Sequence, residues 1–135
     1  PAEDGYGPEL ALQLAAARCP VIHAPLADRA DIYAAADVVV FPSTWEGFGN
    51  PPVEASLAMR PVVVGGYPVV HELKGLGFSW FDADDLDSLR AWLVSPPDSR
   101  EDLLAANRAV AVRELSLDRM ADRLESLLST AGWLP

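Results

Sequence analysis

Cysteine is almost absent: Cys19 is the only one, so no internal disulfide can form. It falls at the end of an expected helix, where it reads as a small buried or half-buried residue, and a lone thiol suits a reducing compartment. The opening residues Pro1-Ala2-Glu3-Asp4-Gly5 lack the basic segment and apolar run of a secretory signal. A cytoplasmic protein is therefore expected. Long apolar runs are missing too. None approaches the ~20 residues that cross a bilayer, so no transmembrane segment is expected. Positive charge is scarce, with 10 basic against 20 acidic side chains and a net charge of −10. A nucleic-acid partner needs a basic face to displace counterions, so that class is excluded. A small phosphorylated ligand stays open, because the N–H groups of a helix N-terminus bind one without side-chain charge. Histidine is limited to His23 and His71, neither with a cysteine or second histidine at ligand spacing. No nucleophile elbow, Walker loop or dinucleotide fingerprint is present. Gly5-Tyr6-Gly7-Pro8 lacks the preceding strand and third glycine of the last.

What is present is an alternation of helices with short apolar strands. The 135 residues, half of them apolar, suit one compact domain that buries roughly two-thirds of its unfolded surface. Pro8 to Arg18 reads as a helix with Pro8 in its first turn. Val21 to Ala24 is a short strand candidate, and Arg29 to Ala36 a brief helix. Val38-Val39-Val40-Phe41, stopped by Pro42-Ser43, predicts a strand buried on both faces of a parallel sheet. A helix from about Pro52 to Met59 leads to a second buried strand, Pro61 to Val64, closed by Gly65-Gly66. A short helix near Val69 to Lys74 and a weaker strand, Phe78 to Phe81, follow. Asp85 to Val94, Ser99 to Leu115 and Leu117 to Ser129 complete the chain as helices, with Pro96-Pro97 breaking the first from the second. This alternation predicts an α/β fold: a Rossmann-like parallel sheet with helices on both faces. Only about four strands are expected and the chain begins with a helix, so the sheet reads as incomplete at its N-terminus.

The informative stretch is Glu46-Gly47-Phe48-Gly49-Asn50-Pro51-Pro52-Val53-Glu54, which leaves a strand and opens a helix. Ligands of open α/β sheets bind outside the carboxyl ends of the strands, where this loop falls. Gly47 and Gly49 let the backbone turn tightly and approach a ligand. Asn50 precedes a proline and is driven out of the α region. With Pro51 as first helical residue, Asn50 caps the N–H of Val53, since neither proline has one; a start one residue later fits equally. Glu46 then sits on the loop and Glu54 in the first helical turn. A carboxylate accepts two hydrogen bonds at once, so each suits a vicinal diol, one on a ribose and the other on a hexose. The helix N-terminus between them faces the connecting phosphates. Taken singly, Glu54 is equally explained by the helix dipole and Glu46 by solvation.

The same stretch resembles the E-x7-E signature of retaining glycosyltransferases of the GT-B fold, family 4 in particular, whose usual wording is E-G-F-G-x-P-x-x-E-A. Flanking segments resemble the family in order: Tyr33-Ala34-Ala35-Ala36-Asp37-Val38 and Phe41-Pro42-Ser43 upstream, Pro61-Val62-Val63-Val64-Gly65-Gly66 and Pro68 downstream. A looser likeness continues to about Leu128. The resemblance implies that residues 1–135 are a single nucleotide-sugar-binding unit, the C-terminal donor domain of a two-domain enzyme, with the N-terminal acceptor domain absent. The enzyme would be a hexosyltransferase type that keeps anomeric configuration, and this unit alone is expected to be inactive. The nucleotide-sugar is a substrate; no cofactor and no metal are expected, because helix dipoles and basic side chains stabilise the departing diphosphate. The family implies that Glu46 is catalytic and contacts the transferred sugar, and that Glu54 holds the ribose. Phe48, Gly49 and Asn50 supply backbone N–H groups, Gly47 shares their turn and Ser43 lines the pocket. The alternative is a non-catalytic nucleotide or nucleotide-sugar binding module or subunit.

Departures from the family pattern are specific. Its phosphate-binding Arg and Lys have no match, and Arg18 and Arg29 do not correspond to them by position. Met59-Arg60 stands where the family often has Cys-Gly or a small residue, and the segment after Gly66 is only loosely similar. Asp82-Ala83-Asp84 could be read as a metal-binding Asp-x-Asp, but it precedes a helix, where acidic residues cap and offset the dipole. His71 falls near the pocket loops and is a secondary contact candidate. Trp45 and Phe48 flank the motif as stacking candidates, whereas Tyr67, Trp80 and Trp92 read as core.

Overall fold

The computed structural model describes residues 7–18, 20–22 and 28–134. The elements run α1 (Gly7–Ala16), α2 (Arg29–Ala35), β1 (Val39–Phe41), α3 (Asn50–Leu57), β2 (Val62–Val64), α4 (Pro68–Gly75), β3 (Phe81–Asp82), α5 (Leu86–Leu93), α6 (Pro97–Leu115) and α7 (Leu117–Thr130). The strands form one parallel sheet in the order β1-β2-β3, with Val39 opposite Val62 and Val63 opposite Phe81. The expected α/β class therefore holds, as a small parallel sheet flanked by helices. No helix among the described residues is long and apolar enough to cross a membrane.

Local chemistry sets the boundaries. Asp28 caps α2, its Oδ1 accepting from the Ala30 N–H at 2.8 Å. Asp85 caps α5 through the Ser88 N–H, so within the acidic run the capping reading holds for Asp85, while Asp82 ends β3 and pairs with Lys74. Prolines open α3, α4 and α6, where a missing N–H costs nothing. The core lies between β2 and the helices α3, α4 and α6. Val62 and Val64 meet Val53 and Ala55 of α3, Val70 and Leu73 of α4, and Val110 and Ala111 of α6. Ser56 is buried and fully used: its hydroxyl donates to the Pro52 carbonyl and accepts from Trp80 Nε1, both at 2.9 Å. That bond pins the helix carrying Glu54 to the segment entering β3.

Several expectations need correction. Three strands, not about four, occur among the described residues. Val21 and Ile22 are irregular, while His23, Ala24 and Cys19 lie outside the described residues. β1 is not buried on both faces: Val40 is 60% exposed, although its register partner Val63 is buried. β1 is the edge strand of the sheet, and no helix among the described residues buries Val40. The fourth expected strand shrinks to Phe81–Asp82, because Asn107 of α6 competes for the backbone before it. Its amide accepts from the Ser79 N–H at 2.7 Å and donates to the Ser79 carbonyl at 3.0 Å. Phe78 and Trp80, stacked 4.5 Å apart, turn into the core instead of a ladder.

The Met59-Arg60 departure has a backbone consequence. Met59 holds φ 55, the left-handed region that glycine occupies freely. It closes α3, with its N–H donating to Ser56 and the Arg60 N–H to Ala55. Met59→Gly is expected to stabilise the fold by about 0.5–1 kcal/mol, because strain is relieved at a site that needs no side-chain cap. Chemical denaturation that shows a loss instead would place the Met59 side chain in the packing.

Candidate functional site

β1 delivers the chain to Pro42-Ser43 at the carboxyl edge of the sheet, and β2 ends beside it. The approach is tight: a Cβ on Gly65 would overlap the Ser43 carbonyl oxygen and lie 2.7 Å from that of Pro42. Only glycine lets the two strand ends meet. Beyond Ser43, which is half-buried, the loop runs to Gly49.

The start of α3 differs from the expectation. The helix begins at Asn50, and Gly49, with φ +83, is its cap residue; the Asn50 side chain makes no capping bond. Gly49 takes the left-handed conformation at no cost, so the turn does not need the asparagine. Glu54 consequently lies in the second turn, not the first. Pro51 and Pro52 remove two of the helix's first N–H groups. Among the described residues, the N–H groups of Gly49 and Asn50 donate to no backbone acceptor outside the regular elements. Free N–H groups at a helix start are a general anion-binding feature; Gly49 is buried and Asn50 exposed. The two glycines play separate parts. A Cβ on Gly49 would stand 2.6 Å from Tyr67 Oη, whereas one on Gly47 meets nothing within 4 Å.

The carboxylates have opposite environments. Glu54 Oε1 accepts from Arg29 Nη1 at 2.9 Å and Oε2 from Tyr33 Oη at 2.8 Å. Residues 29 and 33 are one helical turn apart, so α2 presents both on one face. Arg60 fastens α2 further by donating to the Ala34 carbonyl at 2.9 Å. A carboxylate has about four acceptor positions, so each oxygen of Glu54 keeps one for a hydroxyl. Glu46 is half-buried and holds no ion pair among the described residues. Its charge acts instead on Tyr67, whose phenol is raised above its ordinary range, first by burial and then by Glu46. Arg29 and Tyr33 were not picked out as site residues in the sequence. The Asp28 cap announces α2 itself, but nothing local shows that its Arg and Tyr, four residues apart, reach Glu54.

Tyr33 reports on this arrangement. Its phenol is pushed up to about 12 by burial, then by the hydrogen bond to Glu54 and its charge, with Arg29 opposing. A folded value above the unfolded one, about 10, stabilises the fold fully below pH ~10 and fades as pH rises through about 12. Ultraviolet titration is expected to show late phenols from Tyr33 and Tyr67; Tyr33→Phe removes the first and leaves the second, and Glu54→Gln moves the first downward. An unmoved titration in Glu54→Gln would refute the coupling.

A cleft of about 610 Å³ opens at the carboxyl ends of all three strands, between Pro42 and Thr44 after β1, Gly65 and Gly66 after β2, and Ala83 and Asp84 after β3. His71 and Asp82 complete it. Asp82 is paired to Lys74 at 2.6 Å, so the wall is acidic but partly neutralised. Ser43, Glu46, Gly47, Phe48, Gly49, Asn50 and Glu54 do not line this cleft. The chain flanks Ser43 with two cleft residues and carries the motif loop to one side. Trp45 is 80% and Phe48 42% exposed, whereas Tyr67 and Trp80 are buried as expected. No cluster of three His, Cys, Asp or Glu side chains fit for a metal occurs among the described residues.

The motif loop, with Glu46 before and Glu54 after the Gly49-capped start of α3, thus lies beside the cleft at the carboxyl edge of a parallel α/β sheet. The chain belongs to the family described as Glycosyl transferases group 1, whose sequence profile matches residues 5–129. Over 54 residues, 40% of this chain, it is 43% identical to the O-antigen chain mannosyltransferase RfbU of Salmonella typhimurium, covering 15% of that protein. Over 49 residues, 36% of this chain, it is 47% identical to the mannosylglucosylglycerate synthase of Petrotoga mobilis, covering 11% of it. The matched segments are thus a small part of these relatives. No solved structure matches the chain.

Proposed function

We propose that this chain is the donor-binding domain of a retaining glycosyltransferase of the family 4, GT-B type, with the E-x7-E pair Glu46 and Glu54 at its centre. In this reading it is the C-terminal domain, and an N-terminal domain holds the acceptor. The observation that carries it is the Gly49-capped start of α3, where N–H groups without a backbone acceptor follow Glu46, which holds no ion pair among the described residues, and precede Glu54, already oriented by Arg29 and Tyr33. The diphosphate sits on those N–H groups, and Glu54 takes the ribose hydroxyls. Glu46 faces the transferred sugar, with Ser43, Gly47, Phe48 and Asn50 around it. The helix N-terminus supplies charge stabilisation to the leaving diphosphate without a metal. The acidic cleft with His71 and Asp84 suits neutral hydroxyls better than phosphate. Both relatives carry "mannosyl" in their names, so a mannosyl donor is the first to test.

Thermal shift of the full-length protein against GDP-mannose, UDP-glucose and ADP-glucose tests the reading. Stabilisation by one nucleotide sugar well above its free sugar is expected, followed by transfer or slow hydrolysis of the bound donor. Binding without either reaction would favour the non-catalytic module, and no stabilisation by any nucleotide sugar would refute the site.

A further inference from the structure

Tyr67 closes the turn after β2, immediately precedes Pro68 of α4, and is 0% exposed. Its ring meets Phe41 edge-on, with centroids 6.1 Å apart and planes at 84°. This holds the phenol under the motif loop, where only the missing side chain of Gly49 makes room for the hydroxyl. The hydroxyl has no hydrogen-bond partner among the described residues. An unpaired buried hydroxyl is destabilising, and phenylalanine would fill the same space without it. The hydroxyl therefore calls for a partner in another state of the site. Glu46 is the acceptor at hand: it holds no ion pair among the described residues, and it sits three residues from the glycine that Tyr67 touches.

We propose that Tyr67 is a positioning residue for the transfer reaction: when the donor settles on the loop, the Tyr67 hydroxyl donates to the Glu46 carboxylate and fixes its orientation toward the sugar. A neutral phenol and an ionised carboxylate form a charge-assisted bond, stronger than one between neutral groups. The raised phenol keeps its proton across the neutral range and so remains a donor. The inference rests on the assignment of Glu46 to the transferred sugar.

The test is a double-mutant cycle in the full-length protein, with release of mannose from GDP-mannose as the readout. Tyr67→Phe is expected to lower kcat roughly 10- to 100-fold with donor KM nearly unchanged. Its melting temperature is expected to stay level or rise, since only an unpaired hydroxyl is removed. In a Glu46→Gln background, the same change is expected to add little. An unchanged kcat, a loss confined to KM, or an equal loss in both backgrounds would overturn the inference. The two readings fail differently: wild-type turnover in Glu46→Gln removes Glu46 from the reaction, whereas slow Glu46→Gln beside fully active Tyr67→Phe removes only Tyr67.

Discussion

Glu54→Ala in the full-length protein is expected to weaken nucleotide binding roughly 5- to 150-fold, equivalent to about 1–3 kcal/mol for a lost charged hydrogen bond. Glu54 already spends one acceptor position of each oxygen on α2, through Arg29 and Tyr33. Those bonds fix the carboxylate before any ligand arrives, so binding a ribose diol orders little that is still free. Alanine removes the acceptor and also leaves Arg29 unpaired at the rim. Tyr33→Phe separates the two effects, because it loosens the orientation while keeping the carboxylate. It is expected to cost only a few-fold in affinity. Calorimetry with the tightest-binding nucleotide sugar measures both. Unchanged affinity in Glu54→Ala would end the ribose assignment, and a larger loss in Tyr33→Phe than in Glu54→Ala would make α2 docking the main function of the pair.

Gly49→Ala is expected to destabilise the fold by about 2–5 kcal/mol, the largest stability effect at this site. Two penalties add. The backbone at φ +83 is left-handed, which costs a side-chain-bearing residue about 1–2 kcal/mol. The new methyl also meets Tyr67 Oη at 2.6 Å, and the phenol, packed on Phe41 and without exposure, has little room to retreat. Overpacking of this kind typically costs about 1–3 kcal/mol. Gly47→Ala is the control, because nothing lies within 4 Å of its added carbon. Its stability is expected to stay within about 0.5 kcal/mol of wild type, while donor affinity falls if the sugar packs over that bare stretch of loop. Equal stability losses at the two glycines in urea denaturation would show that the loop geometry is wrong.

Much of this was legible in the residues because the signals were local. The apolar runs at Val39–Phe41 and Val62–Val64 announced strands, and prolines and capping aspartates announced helix starts, mostly within two residues of where they fall. The motif loop was found where a strand end and a helix start meet. What escaped depended on contacts distant in sequence. Asn107 takes the backbone of Ser79 from 28 residues away and so shortens β3. Arg29 and Tyr33 reach Glu54 from 25 and 21 residues away, and no local pattern announces that pairing. The capping error at Asn50 was different. A good capping residue stood beside a glycine, and the backbone used the glycine's freedom instead of the side chain. The sequence places His71 near the pocket loops, but not Asp84 beside it, since three separate strand ends build that cleft.

The most direct measurement is a crystal structure of the full-length protein bound to the nucleotide sugar it prefers. The expected result has diphosphate oxygens within about 3.2 Å of the Gly49 and Asn50 N–H groups, ribose hydroxyls on Glu54 and the hexose against Glu46. A ligand seated away from the start of α3, with Glu54 touching only Arg29 and Tyr33, would contradict it.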